Sequence, residues 1–139
     1  VVLLIDLIEG LDHVGISVSN LGKSLDFYKN ILGLRVVEEF DVPQFHLHVV
    51  FLRAGKAMVE LLDYGQKGEG PKPQAPQANP FGLRHLTFIV RDLDGVCEEL
   101  KRKGVSFVRP PTVIVPGRIR NAFLLGPDGE SIELIERRS

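Results

Sequence analysis

A chain of 139 residues, 44% hydrophobic and 25% charged, is long enough to bury one core and too ordinary in composition to be disordered or fibrous. Seventeen basic residues against eighteen acidic leave a net charge of −1, which argues against a general nucleic-acid or membrane-surface binder. Cys97 is the single cysteine, which rules out an intrachain disulfide and a cysteine-built zinc site and suits a reducing, cytoplasmic compartment.

In chain order, residues 1–8 are apolar, but Asp6 interrupts them. The stretch is too short to span a bilayer and lacks the basic start of a signal peptide. Residues 1–9 are therefore expected to form a short arm or extra strand, and with no initiator Met the chain is expected to be trimmed. Residues 11–19 alternate, with Val14, Ile16 and Val18 on one face and His13, Gly15 and Ser17 on the other. Asn20 is placed to cap a helix over residues 21–32, and Gly33 to stop it. Strands are expected over residues 34–40, 44–53 and 57–62, the last two joined by a hairpin turn at Ala54-Gly55-Lys56. Residues 65–80 are rich in Gly, Pro and Gln and carry no helix or strand signal, so they read as a linker or a lid.

The second half repeats the order. A strand is expected over residues 84–91, then a helix over 93–103 capped by Asp92 and stopped by Gly104. Strands follow over 105–109, 119–125 and 130–136, with 110–116 an irregular extended connection. The fold class is therefore α+β: one domain over residues 1–139, with two tandem βαβββ modules at 10–64 and 81–136.

Between the modules the echo extends to polar residues. His13 and His85 lie 72 positions apart, as do Asn20 and Asp92, while Glu60 and Glu133 lie 73 apart. Such a fixed offset marks an internal duplication. A duplicated scaffold needs only its aliphatic residues repeated, yet here one His and one Glu recur in register on the opposite face. Carboxylates on half-buried strands are costly unless something satisfies them. Two imidazoles and two carboxylates brought together make an N/O donor set suited to a divalent metal such as Zn, Ni, Co, Mn or Fe. His13, Glu60, His85 and Glu133 are the candidate metal ligands. By the same offset Phe51 aligns with Phe123, His48 with Arg120 and His46 with Arg118. If these four polar residues face the cleft, they are candidate substrate-binding groups, and an anionic substrate is expected.

The stretches DHVGISVSNLGKSLDFYKNILGL, VELL, RHLTFIVRDLDGVCEELKRKGV and GPDGESIELIE resemble the vicinal oxygen chelate superfamily, which groups glyoxalase, bleomycin-resistance and dioxygenase proteins. The resemblance covers nearly the whole chain. It implies two modules forming a curved mixed sheet around a metal-holding cleft, with ligands at His13, Glu60, His85 and Glu133. The His/Glu/His/Glu set looks most like glyoxalase I. That enzyme often carries an Arg four residues after the first His to hold glutathione; Ser17 stands there in this chain. The usual Asp before Pro-Asp-Gly is replaced by Gly126. The expected function is a divalent-metal-dependent lyase or isomerase acting on a small oxygenated carbonyl substrate through an enediolate. Glu133 or Glu60 would move the proton, and the protein is expected to be a homodimer. The alternatives are a methylmalonyl-CoA-type epimerase, an extradiol dioxygenase, and a metal-free binder of the bleomycin-resistance kind.

Overall fold

Alternating strands and capped helices assemble here as two copies of one unit. In the computed structural model, which describes residues 7–65 and 81–138, the first unit comprises β1 (His13–Ser17), α1 (Leu21–Leu25), β2 (Arg35–Val42), β3 (Leu47–Ala54) and β4 (Ala57–Asp63). The second comprises β5 (Leu86–Ile89), α2 (Leu93–Arg102), β6 (Phe107–Val115), β7 (Ile119–Leu125) and β8 (Ser131–Arg137). The strands form two four-stranded mixed sheets in the orders β1-β4-β3-β2 and β5-β8-β7-β6. In each sheet the first strand runs parallel to the last, and the other pairs are antiparallel. This is the expected α+β class with duplicated βαβββ modules. Residues 1–6 of the expected arm and 66–80 of the expected linker lie outside the described residues. Among the described residues no helix is long and apolar enough to cross a membrane.

The caps work as their residue types direct. Asn20 accepts a hydrogen bond from the Lys23 N–H at 3.0 Å, and Asp92 accepts one from Gly95 at 3.1 Å. Gly33 and Gly104, at φ 80° and 87°, take the left-handed conformation that closes each helical segment. The first helix departs from expectation. It is α-helical only to Leu25 and then widens into a π-helical stretch, Asp26–Ile31, in which the Leu32 N–H reaches Phe27 O. The wider turn places the consecutive Phe27 and Tyr28 both in the core.

Strand boundaries differ as well, most at β3 and β6. Residues 43–45 form a 3-10 turn begun by Pro43, and His46 closes it in the left-handed conformation, so β3 starts only at Leu47. In the second half β6 continues through Pro110 and Pro111 to Val115. It is an edge strand, and its pairing with β7 shifts register three times; a strand of that kind accommodates residues without an N–H.

One core serves both units. Val50, Leu52, Val59 and Leu61 of the first sheet and Ala122, Leu124, Ile132 and Leu134 of the second join Phe27, Tyr28, Leu93, Cys97 and Leu100 in a single buried cluster. Polar contacts bind the units as well. Tyr28 donates to Glu130 at 2.8 Å, the Ser19 N–H and hydroxyl both donate to Asp128, and Lys103 reaches the Asn30 and Ile31 carbonyls. The faces of the two sheets that carry the His–Glu pairs are therefore the faces turned away from this shared core.

Candidate metal centre

Parallel pairing of β1 with β4 puts Gly15 beside Glu60, and antiparallel pairing of β3 with β4 puts Phe51 on its other side. Paired neighbours share a face, so His13, Gly15, Phe51 and Glu60 all lie opposite the core. His13 Nε2 stands 3.4 Å from Glu60 Oε1. The His13 ring meets Phe51 edge-on at 5.0 Å, and Asp12 accepts from its Nδ1 at 2.7 Å, which fixes the ring and points Nε2 at Glu60. Gly15 leaves the space this needs, because a Cβ there would lie 3.0 Å from Glu60 Oε1.

The second module repeats the arrangement with richer support. His85 Nε2 lies 3.7 Å from Glu133 Oε1, and its ring meets Phe123 edge-on at 5.3 Å. Thr87 donates to Glu133 Oε1 at 3.0 Å and Asn121 to Oε2 at 2.7 Å. Arg109 donates to Asn121 Oδ1 and lies over the Phe123 ring, 5.0 Å from its centroid. Its Nε is buried without a partner, and it forms no ion pair among the described residues.

Two donors each about 2.1 Å from one ion stand roughly 3.0–3.4 Å apart. The spacing within each His–Glu pair is close to that range, and neutral imidazole plus carboxylate is a donor set that borderline divalent ions accept. The residues thus fit a divalent metal as two half-sites. Within one chain the halves stay separate: among the described residues no group of three or more His, Cys, Asp or Glu could hold an ion.

The other four expected site residues lie elsewhere. His48 and Arg120 are on the core-side face, in alternation with Phe51 and Phe123. His48 is held by Asp41 at 2.7 Å and Glu39 at 2.8 Å, and those hydrogen bonds raise its pKa above the usual histidine value. Arg120 forms a two-pronged bridge to Asp94 in the first turn of α2. That partnership holds the Asp94 carboxyl below, and the Arg120 guanidinium above, its ordinary value. His46 and Arg118 are exposed in turns at strand ends. Strand parity sets His48 and Arg120 apart from the His–Glu pairs, since His48 shares its face with Val50 and Leu52 and Arg120 shares its face with Ala122 and Leu124, the aliphatic side, while His46 and Arg118 lie off the strands. The same parity, applied to the Phe51–Glu60 and Phe123–Glu133 pairs, would have found the phenylalanines from sequence. Arg109 carried no comparable signal, because the register shifts of the edge strand β6 break the parity that would place it.

Residues 10–134 match the Glyoxalase/Bleomycin resistance protein/Dioxygenase superfamily. The chain is 31% identical over 128 residues to a lactoylglutathione lyase of Neisseria meningitidis serogroup A, covering 91% of this chain and 90% of that protein. It is 34% identical over 96 residues to the human mitochondrial methylmalonyl-CoA epimerase, covering 68% of this chain and 54% of the epimerase. Among solved structures, a glyoxalase family protein from Enterococcus faecalis superimposes with a TM-score of 0.77 at 28% identity, covering 94% of this chain and 99% of that one. With the duplicated modules and the paired His–Glu half-sites already in view, these likenesses establish that the chain belongs to the glyoxalase/bleomycin resistance protein/dioxygenase superfamily.

Proposed function

We propose that the protein is a divalent-metal-dependent lyase or isomerase of the glyoxalase I kind. It would work as a homodimer in which His13 and Glu60 of one copy meet His85 and Glu133 of the other around one ion. The observation that carries this reading is the pair of equivalent His–Glu half-sites, each near donor spacing and each on a sheet face turned away from the core of its own chain. Bound there, a Zn, Ni, Co, Mn or Fe ion would polarise a substrate carbonyl and stabilise the negative oxygen that develops when the adjacent C–H is lost. The chain's own part is to hold the ligands and move the proton. Glu60 or Glu133 takes it from the carbon beside the carbonyl and returns it to the neighbouring carbon. Phe51 and Phe123 wall off water around the pairs.

Arg109 takes the place that His46, His48, Arg118 and Arg120 were expected to fill. A guanidinium over an aromatic ring, without a carboxylate partner among the described residues, favours an anionic substrate. The same chemistry serves an acyl-CoA epimerase, and the epimerase likeness supports that as the second reading. Two measurements test the proposal: elemental analysis of protein purified without added metal, and NMR of S-lactoylglutathione in D2O with the metal-loaded protein. One divalent ion per chain and loss of the lactoyl C2 proton signal are expected. Absence of any bound divalent ion, even after addition, would overturn it.

A further inference from the structure

The face of the second sheet opposite its His–Glu pair gathers arginines around a small cavity. Side chains alternate along β7 and β8, so Asn121, Phe123 and Glu133 take one face while Arg120 and Glu136 take the other. The Arg138 N–H donates to Arg118 O at 2.8 Å, which extends the ladder by one step and sets Arg118 and Arg138 opposite each other on the Arg120 face. Val113 of β6 pairs with Arg120 and is exposed beside it. Gly117, at φ 72°, turns the chain from β6 into β7 and puts no side chain in the way. These residues wall a cavity of about 140 Å³. Its guanidiniums are engaged to different degrees. Arg120 donates to Asp94 from both terminal nitrogens, at 2.8 and 2.7 Å. Glu136 accepts from the Leu93 N–H through Oε2 at 2.8 Å, and its Oε1 lies 3.2 Å from Arg138 and 4.0 Å from Arg120. Arg118 is exposed and forms no ion pair among the described residues. Three arginines thus line the cavity against one carboxylate, that of Glu136, with Asp94 outside it.

We propose that this cavity is an anion site for a phosphate group, in which Arg118 and Arg138 close on the phosphate oxygens and Arg120, held by Asp94, stands as a fixed third charge. Like charges directly opposite each other across two strands repel, and an anion seated between them turns that repulsion into a clamp. The forked guanidinium donates to an oxyanion through two N–H groups at once, so two arginines grip a phosphate from two sides. A doubly charged tetrahedral group draws on all three guanidiniums, whereas a singly charged ion competes poorly with Glu136 for Arg138. The site is independent of the metal-dependent reading, because none of its residues belongs to a His–Glu pair.

The test is isothermal titration calorimetry of the protein as purified with inorganic phosphate, and with adenosine monophosphate as a second probe. The wild type is expected to bind phosphate, and Arg118→Ala and Arg138→Ala are each expected to weaken that binding at least about tenfold, the loss of a charge-assisted donor. Both side chains are exposed, so both variants should keep the wild-type fold. Arg118→Lys, which keeps the charge and loses the fork, should fall between them and the wild type. Arg53→Ala removes the same charge from another cross-strand arginine pair, Arg35 and Arg53, and should leave phosphate affinity unchanged. Adenosine monophosphate binding more tightly than phosphate assigns the site to a phosphate carried on a nucleotide, and binding no more tightly assigns it to free phosphate; either result upholds the site. Phosphate held by an ion at the His–Glu pairs would survive the Arg118 and Arg138 substitutions. A wild type that binds no phosphate, binding untouched by Arg118→Ala and Arg138→Ala, or an equal loss in Arg53→Ala would overturn the proposal and leave the metal reading intact.

Discussion

Gly126 opens the turn before β8, and the structure gives it a physical role. A Cβ at this position would run into the Glu130 carboxylate, which folds back over the turn to accept from Tyr28 and from the Asp128 N–H. The glycine therefore makes room for a polar clasp between the two modules. Gly126→Ala should displace Glu130 and lower unfolding stability by about 1–3 kcal/mol, the usual cost of forcing extra volume into a filled site; a denaturant midpoint equal to the wild type would refute this. Burial pushes the Glu130 carboxyl above its ordinary range, outweighing the hydrogen bonds it accepts. The folded protein thus holds this proton to higher pH than the unfolded chain does. Stability attributable to Glu130 is complete below the ordinary Glu value of 4.5 and is lost as pH rises through the elevated folded value. Glu130→Gln should flatten that part of the stability–pH curve, as urea midpoints measured from pH 4 to pH 8 would show. Burial, followed by the negative charge of Glu130, likewise raises the Tyr28 phenol, so that ring remains a donor throughout this interval.

At the scale of elements, alternation and duplication made most of the architecture legible. Eight strands, two capped helices and the His–Glu pairs all follow from where apolar and polar residues fall. The alternation of β7 was equally readable, but which face it presents depends on what covers the sheet. Arg120 is the instructive residue: its positive charge suggests a substrate, yet it shares a face with Ala122 and Leu124 and clamps the start of α2 through Asp94. Glu136 completes that anchor by accepting from the Leu93 N–H at 2.8 Å, a bond that holds its carboxyl below the ordinary range. Arg120→Glu is accordingly expected to lower the melting temperature and leave zinc affinity and the substrate KM unchanged. A raised KM at wild-type melting temperature would return Arg120 to the site. Residues 110–116 were illegible for a different reason. Proline argues against a strand in general, but not against an edge strand whose register slips, and edge position belongs to the tertiary fold rather than to the local sequence.

For the whole molecule, the proposed cross-copy site means that duplication and site formation use different pairings. Within a chain, the modules meet through their core-side faces, and the clasp of Ser19, Tyr28, Asp128 and Glu130 holds them so. The opposite faces, each with half a ligand set, must then find their complement on another copy if four ligands are to meet. Binding across two copies links metal to assembly, so chelation should shift the protein toward monomer, and added Zn2+ should shift it back by mass action. Mixing makes the test sharper. A His13→Ala/Glu60→Gln chain retains only the second half-site, and a His85→Ala/Glu133→Gln chain only the first. Neither alone should bind zinc tightly. Co-refolded, they form heterodimers in which one of the two composite sites has both halves intact, so tight zinc binding should reappear in the mixture. A site formed within a single chain cannot be rescued this way, because every chain in the mixture lacks one half. Failure of the mixture to bind, with heterodimers demonstrated by mass spectrometry, would therefore exclude the cross-copy arrangement.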